Sequence, residues 1–335
     1  MSLHTLPDFA LVRPATLDQA LAVLASGHTV RPIAGGTDLV PNLRHGLGAP
    51  TRLVDLSGLP GMSEIGVSAN GALELGAGVT LARLASDPDL ARNLPALAEA
   101  ARAAAGPGHR SAATLGGNLC QDTRCIYYNQ SAWWRQANGY CLKRDGDTCH
   151  VAPQGKRCHA AFCSDLAPVL LAQGAEVELA CSRSTRRLAL ADLYQDDGAA
   201  HLMLEPGELL TRVLVPAPAP GQRCAYRKAR VRGAMDFPLA AVAVTLALHD
   251  GLVEKLAVGI SGTNSRPLQL EGLDVWKGQA VDAALIAAVG KAVQKQVSPM
   301  RSTTTESNYR RQVAATLAQR LIDALAGEAA EAPGR

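Results

Sequence analysis

The 335-residue chain is poor in aromatic side chains, at 4% of positions, and carries a formal net charge of only +3. A near-neutral balance excludes the strongly basic or acidic surfaces that grip nucleic acid or membranes, so neither is an expected partner. No run of 18 or more apolar residues occurs, which excludes a conventional membrane-spanning helix. The opening residues, Met1 to Asp8, show no basic segment leading into an apolar one. No signal peptide is expected on that ground, and a cytoplasmic location follows. Structural disulfides are rare in that compartment. Cysteine is scarce as well, except in one place. Six of the eight cysteines and half of the twelve aromatic residues fall between Cys120 and Cys163. Thiols gathered like this hold a metal, an iron–sulfur cluster or disulfides, and the compartment puts disulfides last.

An apolar fraction of 47% over this length suits a soluble protein with two or three domains. Thr16 to Gln19 has capping-box spacing before Leu17, Ala20, Leu21 and Leu24, which share a helical face. Strands are predicted from Thr29 to Ile33 and from Arg52 to Leu56. A hairpin should join Ser63–Val67 to Ala72–Ala77 through Asn70-Gly71. The Ala- and Leu-rich stretch from Asp89 to Ala105 reads as one helix. After the cysteine window, Leu166 to Gln173 reads as a helix and Ala175 to Ala180 as a strand. Pro216, Pro218 and Pro220 mark a linker. Beyond it, strands are predicted over Ala240–His249 and Leu252–Ser261, and helices over Val281–Gln296 and Tyr309–Leu325. The expected class is α+β. One domain spans 1–217, with subdomains of about 1–58 and 59–217 and the cysteine window, 120–163, as an insertion. A second spans 221–326, and 327–335 is expected to be a disordered tail.

Two glycine turns could cradle a diphosphate: Ile33-Ala34-Gly35-Gly36-Thr37-Asp38-Leu39 and Thr114-Leu115-Gly116-Gly117-Asn118. Paired glycines permit close backbone approach and positive φ, so that successive N–H groups can face one anion. Either alone could be an ordinary tight turn; together they suit a dinucleotide. Gly76-Ala77-Gly78 resembles the start of a Rossmann fingerprint, but Leu81 replaces its third glycine and the segment closes a hairpin.

These motifs, with Arg13-Pro14 before them and Ser164-Asp165-Leu166-Ala167-Pro168 after them, resemble the FAD-binding subunits of the xanthine dehydrogenase and molybdenum hydroxylase family across nearly the whole chain. The resemblance implies a two-subdomain FAD-binding fold of the vanillyl-alcohol-oxidase (PCMH) type, followed by a C-terminal α+β domain of the CO dehydrogenase flavoprotein type. It implies that Ile33 to Leu39 and Thr114 to Asn118 hold the FAD diphosphate. Asp165, Leu210 (in Gly207-Glu-Leu-Leu) and Lys228 match further flavin contacts. His109 and Arg110 are read as ordinary loop residues.

In typical members of this family about ten residues follow the Gly-Gly-Asn motif before Ser-Asp-Leu; here 45 residues separate Asn118 from Ser164. The window is therefore an insertion beside the flavin, too long to stay ordered without a cross-link. Cys125, Cys141, Cys149 and Cys158 are separated by 15, 7 and 8 residues, unlike zinc ribbons or bacterial ferredoxins. Spacing leaves zinc and an iron–sulfur cluster both open. The run Asp122-Thr-Arg-Cys125-Ile-Tyr-Tyr-Asn-Gln-Ser-Ala-Trp-Trp-Arg135, with Cys141, Cys149-His150 and Arg157-Cys158, resembles the β subunit of 4-hydroxybenzoyl-CoA reductases. That resemblance implies a 4Fe–4S cluster on Cys125, Cys141, Cys149 and Cys158. Cys120 and Cys163 are expected to be buried thiols, and Cys181 and Cys224 core residues. His150 and His159 are surface residues, replace a cysteine ligand, or tune the cluster by a hydrogen bond to a sulfur. Trp133, Trp134, Tyr127 and Tyr128 should form the insertion's small core.

The resemblance implies an oxidoreductase subunit that transfers electrons and has no catalytic residues of its own. Its partners would be a molybdenum-cofactor large subunit and a 2Fe–2S small subunit, two copies of each in a heterohexamer, with ferredoxin as electron donor. Such an assembly removes the phenolic hydroxyl of 4-hydroxybenzoyl-CoA, a step of anaerobic aromatic degradation. The alternatives are the FAD subunit of another molybdenum hydroxylase acting on an aromatic or heterocyclic substrate, a stand-alone flavin oxidase with a zinc-stapled loop, and a scaffold binding no nucleotide. The glycine turns and the cysteines are expected to act separately: Gly36→Val should weaken FAD, and Cys141→Ser should remove the cluster alone.

Overall fold

The structure, a computed structural model, describes residues 6–331. Three sheets organise the chain. The first is parallel, with Arg52–Asp55 between Ala10–Val12 and Val30–Ile33. Helix Leu17–Leu24 crosses between its strands, and Thr16 caps it by accepting from the Gln19 N–H at 3.3 Å. The second sheet is antiparallel, in the order Ile65–Val67, Leu73–Gly76, Leu209–Val215, Glu176–Ala180 and Thr185–Ala189. The third is also antiparallel and runs from Arg223–Ala229 through Ala240–His249 and Leu252–Ser261 to Leu268–Gln269.

The α+β class and the elements named from the sequence agree with the structure, but strands Ala10–Val12, Thr185–Ala189, Leu209–Val215 and Arg223–Ala229 were not foreseen. Two boundaries also differ. The stretch expected as one helix from Asp89 to Ala105 is broken in two, Pro88–Asn93 and Pro95–Ala103. Pro95 has no N–H to donate and opens a new helix at its first position, where that donor is not needed. The last helix, Ser307–Glu331, runs five residues into the segment expected to be a disordered tail, and 332–335 lie outside the described residues.

Strand Ala240–His249 is buried on both faces. Ala241 and Ala243 join the large core beneath the second sheet, whereas Ala240, Val242, Val244 and Leu246 pack with helices Ala283–Gln296 and Ser307–Glu331. Period-2 alternation thus makes one strand serve two cores. Helix Ala167–Gln173, buried along its whole length, lies against the same sheet from the other side.

The insertion is ordered around a closed root. Arg124 and Ala161 exchange two backbone hydrogen bonds, at 2.7 and 2.8 Å. Beyond them lie one short helix, Ala132–Ala137, and a tight turn in which the Arg144 N–H donates to the Cys141 carbonyl at 2.7 Å.

Candidate functional site

The two glycine turns meet back to back. Any Cβ placed on Gly35 would collide with the carbonyl of Ala112, and Ala113 N would lie 3.0 Å away. Gly36 has φ +69°, a left-handed conformation that an L side chain resists. Among the described residues, no protein acceptor takes a hydrogen bond from the backbone N–H groups of Gly35, Gly36 and Thr37. These donors follow strand Val30–Ile33 directly, a geometry suited to an anion.

The second turn is built differently. The Leu115, Gly116 and Asn118 N–H groups already donate to Val79, Ala77 and Thr114 carbonyls, at 2.8, 2.7 and 2.8 Å. Gly117 N donates to Thr114 Oγ1 at 3.1 Å. A Cβ on Gly116 would stand 2.8 Å from that of Ala77, so this glycine serves close packing. The N–H groups of Leu115 to Asn118 are thus already bonded within the protein, unlike those of Gly35 to Thr37. This distinction is invisible in the sequence, where both turns show the same glycine pair.

Asn118 binds the next motif: its Oδ1 accepts from Ser164 Oγ at 2.6 Å and from Leu166 N at 3.2 Å. Asp165 turns inward, accepting from Tyr226 Oη at 2.8 Å and pairing with Lys228 Nζ at 2.9 Å. Lys228 also donates to the Ala103 carbonyl at 3.2 Å. Burial raises the Asp165 pKa and the Lys228 ammonium counters it. Both side chains are under a tenth exposed, so removing one partner strands a buried charge. Lys228→Met is expected to lower the unfolding free energy by about 3–5 kcal/mol, measured by denaturant titration. Tyr226, the third member of this latch, escaped the sequence reading. Only its alternation with Lys228 along one strand could have signalled it. Leu210 is a core residue of strand Leu209–Val215, paired with Leu179. Arg110 donates to the Ala104 carbonyl at 3.0 Å and to that of Ala105 at 3.1 Å.

Cys125, Cys141, Cys149 and Cys158 line a single cavity with Tyr127, Tyr128, Leu142, Lys143, His150, Val151 and Ala160. The cavity is small, about 10 Å³. Residues far apart in sequence thus line one cavity. Among the described residues, however, no three His, Cys, Asp or Glu side chains are grouped to hold one metal ion. Four thiolates on one zinc, each at about 2.3 Å, would have to stand within about 3.8 Å of one another. A polynuclear centre gives each thiolate its own metal atom and keeps the sulfurs farther apart. Four cysteines around a shared void supply the thiol donors that either centre needs. Burial pushes the Cys125 thiol up to about 11 and the Cys158 thiol up to about 12. Holding them as thiolates requires strong positive charge inside the cavity.

Cys158 is anchored on several sides: its N–H donates to Asp197 Oδ1 at 3.1 Å, and its carbonyl accepts from Gly198 N at 2.9 Å and Ser265 Oγ at 3.2 Å. Lys143 Nζ bonds Asp122 Oδ1 at 2.5 Å and lies 4.1 Å from the Tyr128 ring centre. His150 lines the cavity, stacks on Tyr127 at 5.0 Å and bonds the Tyr140 carbonyl, whereas His159 lies outside. Trp134 and Tyr128 pack inward, but Trp133 is 75% exposed and takes no part in the insertion's core. Cys163 is buried, donating to the Ala161 carbonyl, and Cys120 and Cys224 pack against the main core. Cys181, expected in the core, instead sits in the surface turn between Glu176–Ala180 and Thr185–Ala189, beside Ser184.

No helix among the described residues is long and apolar enough to cross a membrane. Residues 7–218 match the FAD binding domain in molybdopterin dehydrogenase, and residues 224–325 the CO dehydrogenase flavoprotein C-terminal domain. The chain is 34% identical over 260 residues to the aldehyde oxidoreductase FAD-binding subunit PaoB of Escherichia coli, spanning 75% of this chain and 80% of that one. It is 27% identical over 319 residues to the carbon monoxide dehydrogenase medium chain of Afipia carboxidovorans, spanning 94% and 96%. Among solved structures, Cu,Mo-CO dehydrogenase aligns with a TM-score of 0.79 at 26% identity, covering 96% of this chain and 99% of that one. Quinoline 2-oxidoreductase from Pseudomonas putida 86 aligns at 0.76 and 25%, covering 97% and 99%. Domain matches, relatives and glycine-turn geometry converge: the chain belongs to the FAD-binding subunits of the xanthine dehydrogenase and carbon monoxide dehydrogenase family.

Proposed function

We propose that this chain is the electron-transfer subunit of a molybdenum enzyme and carries, besides FAD, a 4Fe–4S cluster on Cys125, Cys141, Cys149 and Cys158. The observation that supports a metal centre is the convergence of these four cysteines on one cavity, and its iron–sulfur identity rests on the resemblance of the run from Asp122 to Arg135. When bound, FAD exchanges electrons singly or in pairs and an iron–sulfur centre exchanges them singly, so together they convert between the two. The protein's part is to hold and shield. Gly35, Gly36 and Thr37 present N–H donors to the diphosphate, Ala112 and Ala113 back Gly35, and the resemblance gives Thr114 to Asn118 further diphosphate contacts. Asp165 and Lys228 form a buried pair and Leu210 packs in the core, and the resemblance gives all three flavin contacts. Tyr128, Leu142 and Val151 cover the thiols.

Relatives named as medium chains or FAD-binding subunits support companion chains; that these are a molybdenum large subunit and a 2Fe–2S small subunit, two copies of each, rests on the family resemblance. The named oxidative relatives favour an assembly that oxidises an aldehyde, an aromatic or a heterocycle. One observation favours the reverse direction: the wording of the run from Asp122 to Arg135, which supports 4-hydroxybenzoyl-CoA reduction with ferredoxin as donor.

Protein purified without oxygen is expected to contain about four irons, matching sulfide, and about one FAD per chain, with an EPR signal after reduction. Zinc without iron would overturn the cluster. Assaying the whole complex for aldehyde oxidation and for ferredoxin-driven benzoyl-CoA formation separates the two directions.

A further inference from the structure

The insertion touches the first glycine turn through one pair of charges. Asp38 stands just before helix Leu39–Arg44 but makes no capping bond to it. Its carboxylate accepts from the Asp122 N–H at 3.0 Å and pairs with the Arg124 guanidinium. Arg124 also donates to Asn42 Oδ1 at 3.4 Å and lies 4.8 Å from the ring centre of Phe237, in the C-terminal region. Its backbone is fixed by the two bonds to Ala161, and the next residue is Cys125. Burial raises the Asp38 pKa and Arg124 is the chief group drawing it down.

Asp38 directly follows Thr37, whose N–H belongs to the anion-facing set. A carboxylate fixed there would repel a diphosphate unless a cation neutralised it. We infer that Arg124 is a flavin-site residue delivered by the cysteine insertion: it supplies the counter-charge that lets an aspartate stand beside the FAD diphosphate. The inference rests on the reading that this diphosphate lies on Gly35 to Thr37. The insertion is then part of the flavin site through its root, independently of the metal at its tip.

FAD titrated into the flavin-free full chain, with iron content measured in parallel, tests this. Arg124→Gln should weaken FAD by about tenfold or more, because it leaves Asp38 uncompensated. Arg124→Lys, which keeps the charge, should stay within about threefold of wild type. The double variant Arg124→Gln/Asp38→Asn should also return to within about threefold, since the repelling charge is gone. A double variant as weak as Arg124→Gln, or wild-type affinity in Arg124→Gln, would overturn the inference. If Arg124→Gln does not fold, Asp38→Asn alone decides. Binding as tight as wild type or tighter supports the counter-charge role, and tenfold weaker binding refutes it. A wild-type chain that binds no FAD removes the flavin reading and this inference together. Bound FAD with an ineffective Arg124→Gln removes the inference alone.

Discussion

Gly35→Val is expected to yield a folded protein without FAD and with its iron intact. The obstacle is backbone against backbone: the new side chain meets the Ala112 carbonyl, which cannot swing aside as a flexible side chain could. The two turns must separate, and the Gly35, Gly36 and Thr37 donors leave their common direction. Hydrogen bonds weaken steeply outside about 2.7–3.2 Å, so a shift approaching an ångström removes them. Losing two charge-assisted bonds, at about 1.5–3 kcal/mol each, corresponds to an affinity loss of about two to four orders of magnitude. Gly36→Val should be milder, with a left-handed strain of about 1–2 kcal/mol and a Cβ 3.0 Å from a movable Val40 methyl. Flavin absorbance of the purified variants gives the ranking. Full occupancy in Gly35→Val would exclude the first turn as the diphosphate site.

Cys141→Ser should lose nearly all iron and keep FAD. A serine hydroxyl in this cavity is a poor substitute for a thiolate, and the three remaining cysteines leave one metal position open. FAD should survive because Cys141 lies in the turn to Arg144, well beyond the root closed by Arg124 and Ala161. Cys163→Ser is the matched control. That thiol is buried but is absent from the cavity lining, so iron should stay at the wild-type level. Iron and flavin content, with circular dichroism to confirm folding, distinguish the cases. Joint loss of FAD and iron in a folded Cys141→Ser protein would mean that the metal centre itself braces the flavin turn.

The elements named from the sequence were legible because their patterns are local: the Asn70-Gly71 turn, the Thr16 cap, the apolar-rich run from Ala240 to Leu248. The cavity was legible only through resemblance, since spacings of 15, 7 and 8 carry no geometric signature of their own. Contacts between distant segments were not legible at all. Nothing in Asp38 or Arg124 announces the other, and the Tyr226–Asp165–Lys228 latch joins residues on opposite sides of the proline linker. Identical glycine pairs also concealed unlike roles. Whether an N–H is free or already bonded depends on the carbonyls of Ala77 and Val79, which the sequence does not place.

The strand with two buried faces changes what the proline linker means. A chain severed at Pro218 would not give two self-sufficient proteins. The amino-terminal fragment would expose helix Ala167–Gln173 and leave Asp165 without Tyr226 and Lys228; the carboxy-terminal fragment would expose Ala241 and Ala243. Each piece would carry a greasy wound shaped to the other, so co-expressed halves should reassociate and neither should remain soluble alone. The linker is a hinge in the sequence only; in space it crosses a wall that both halves own.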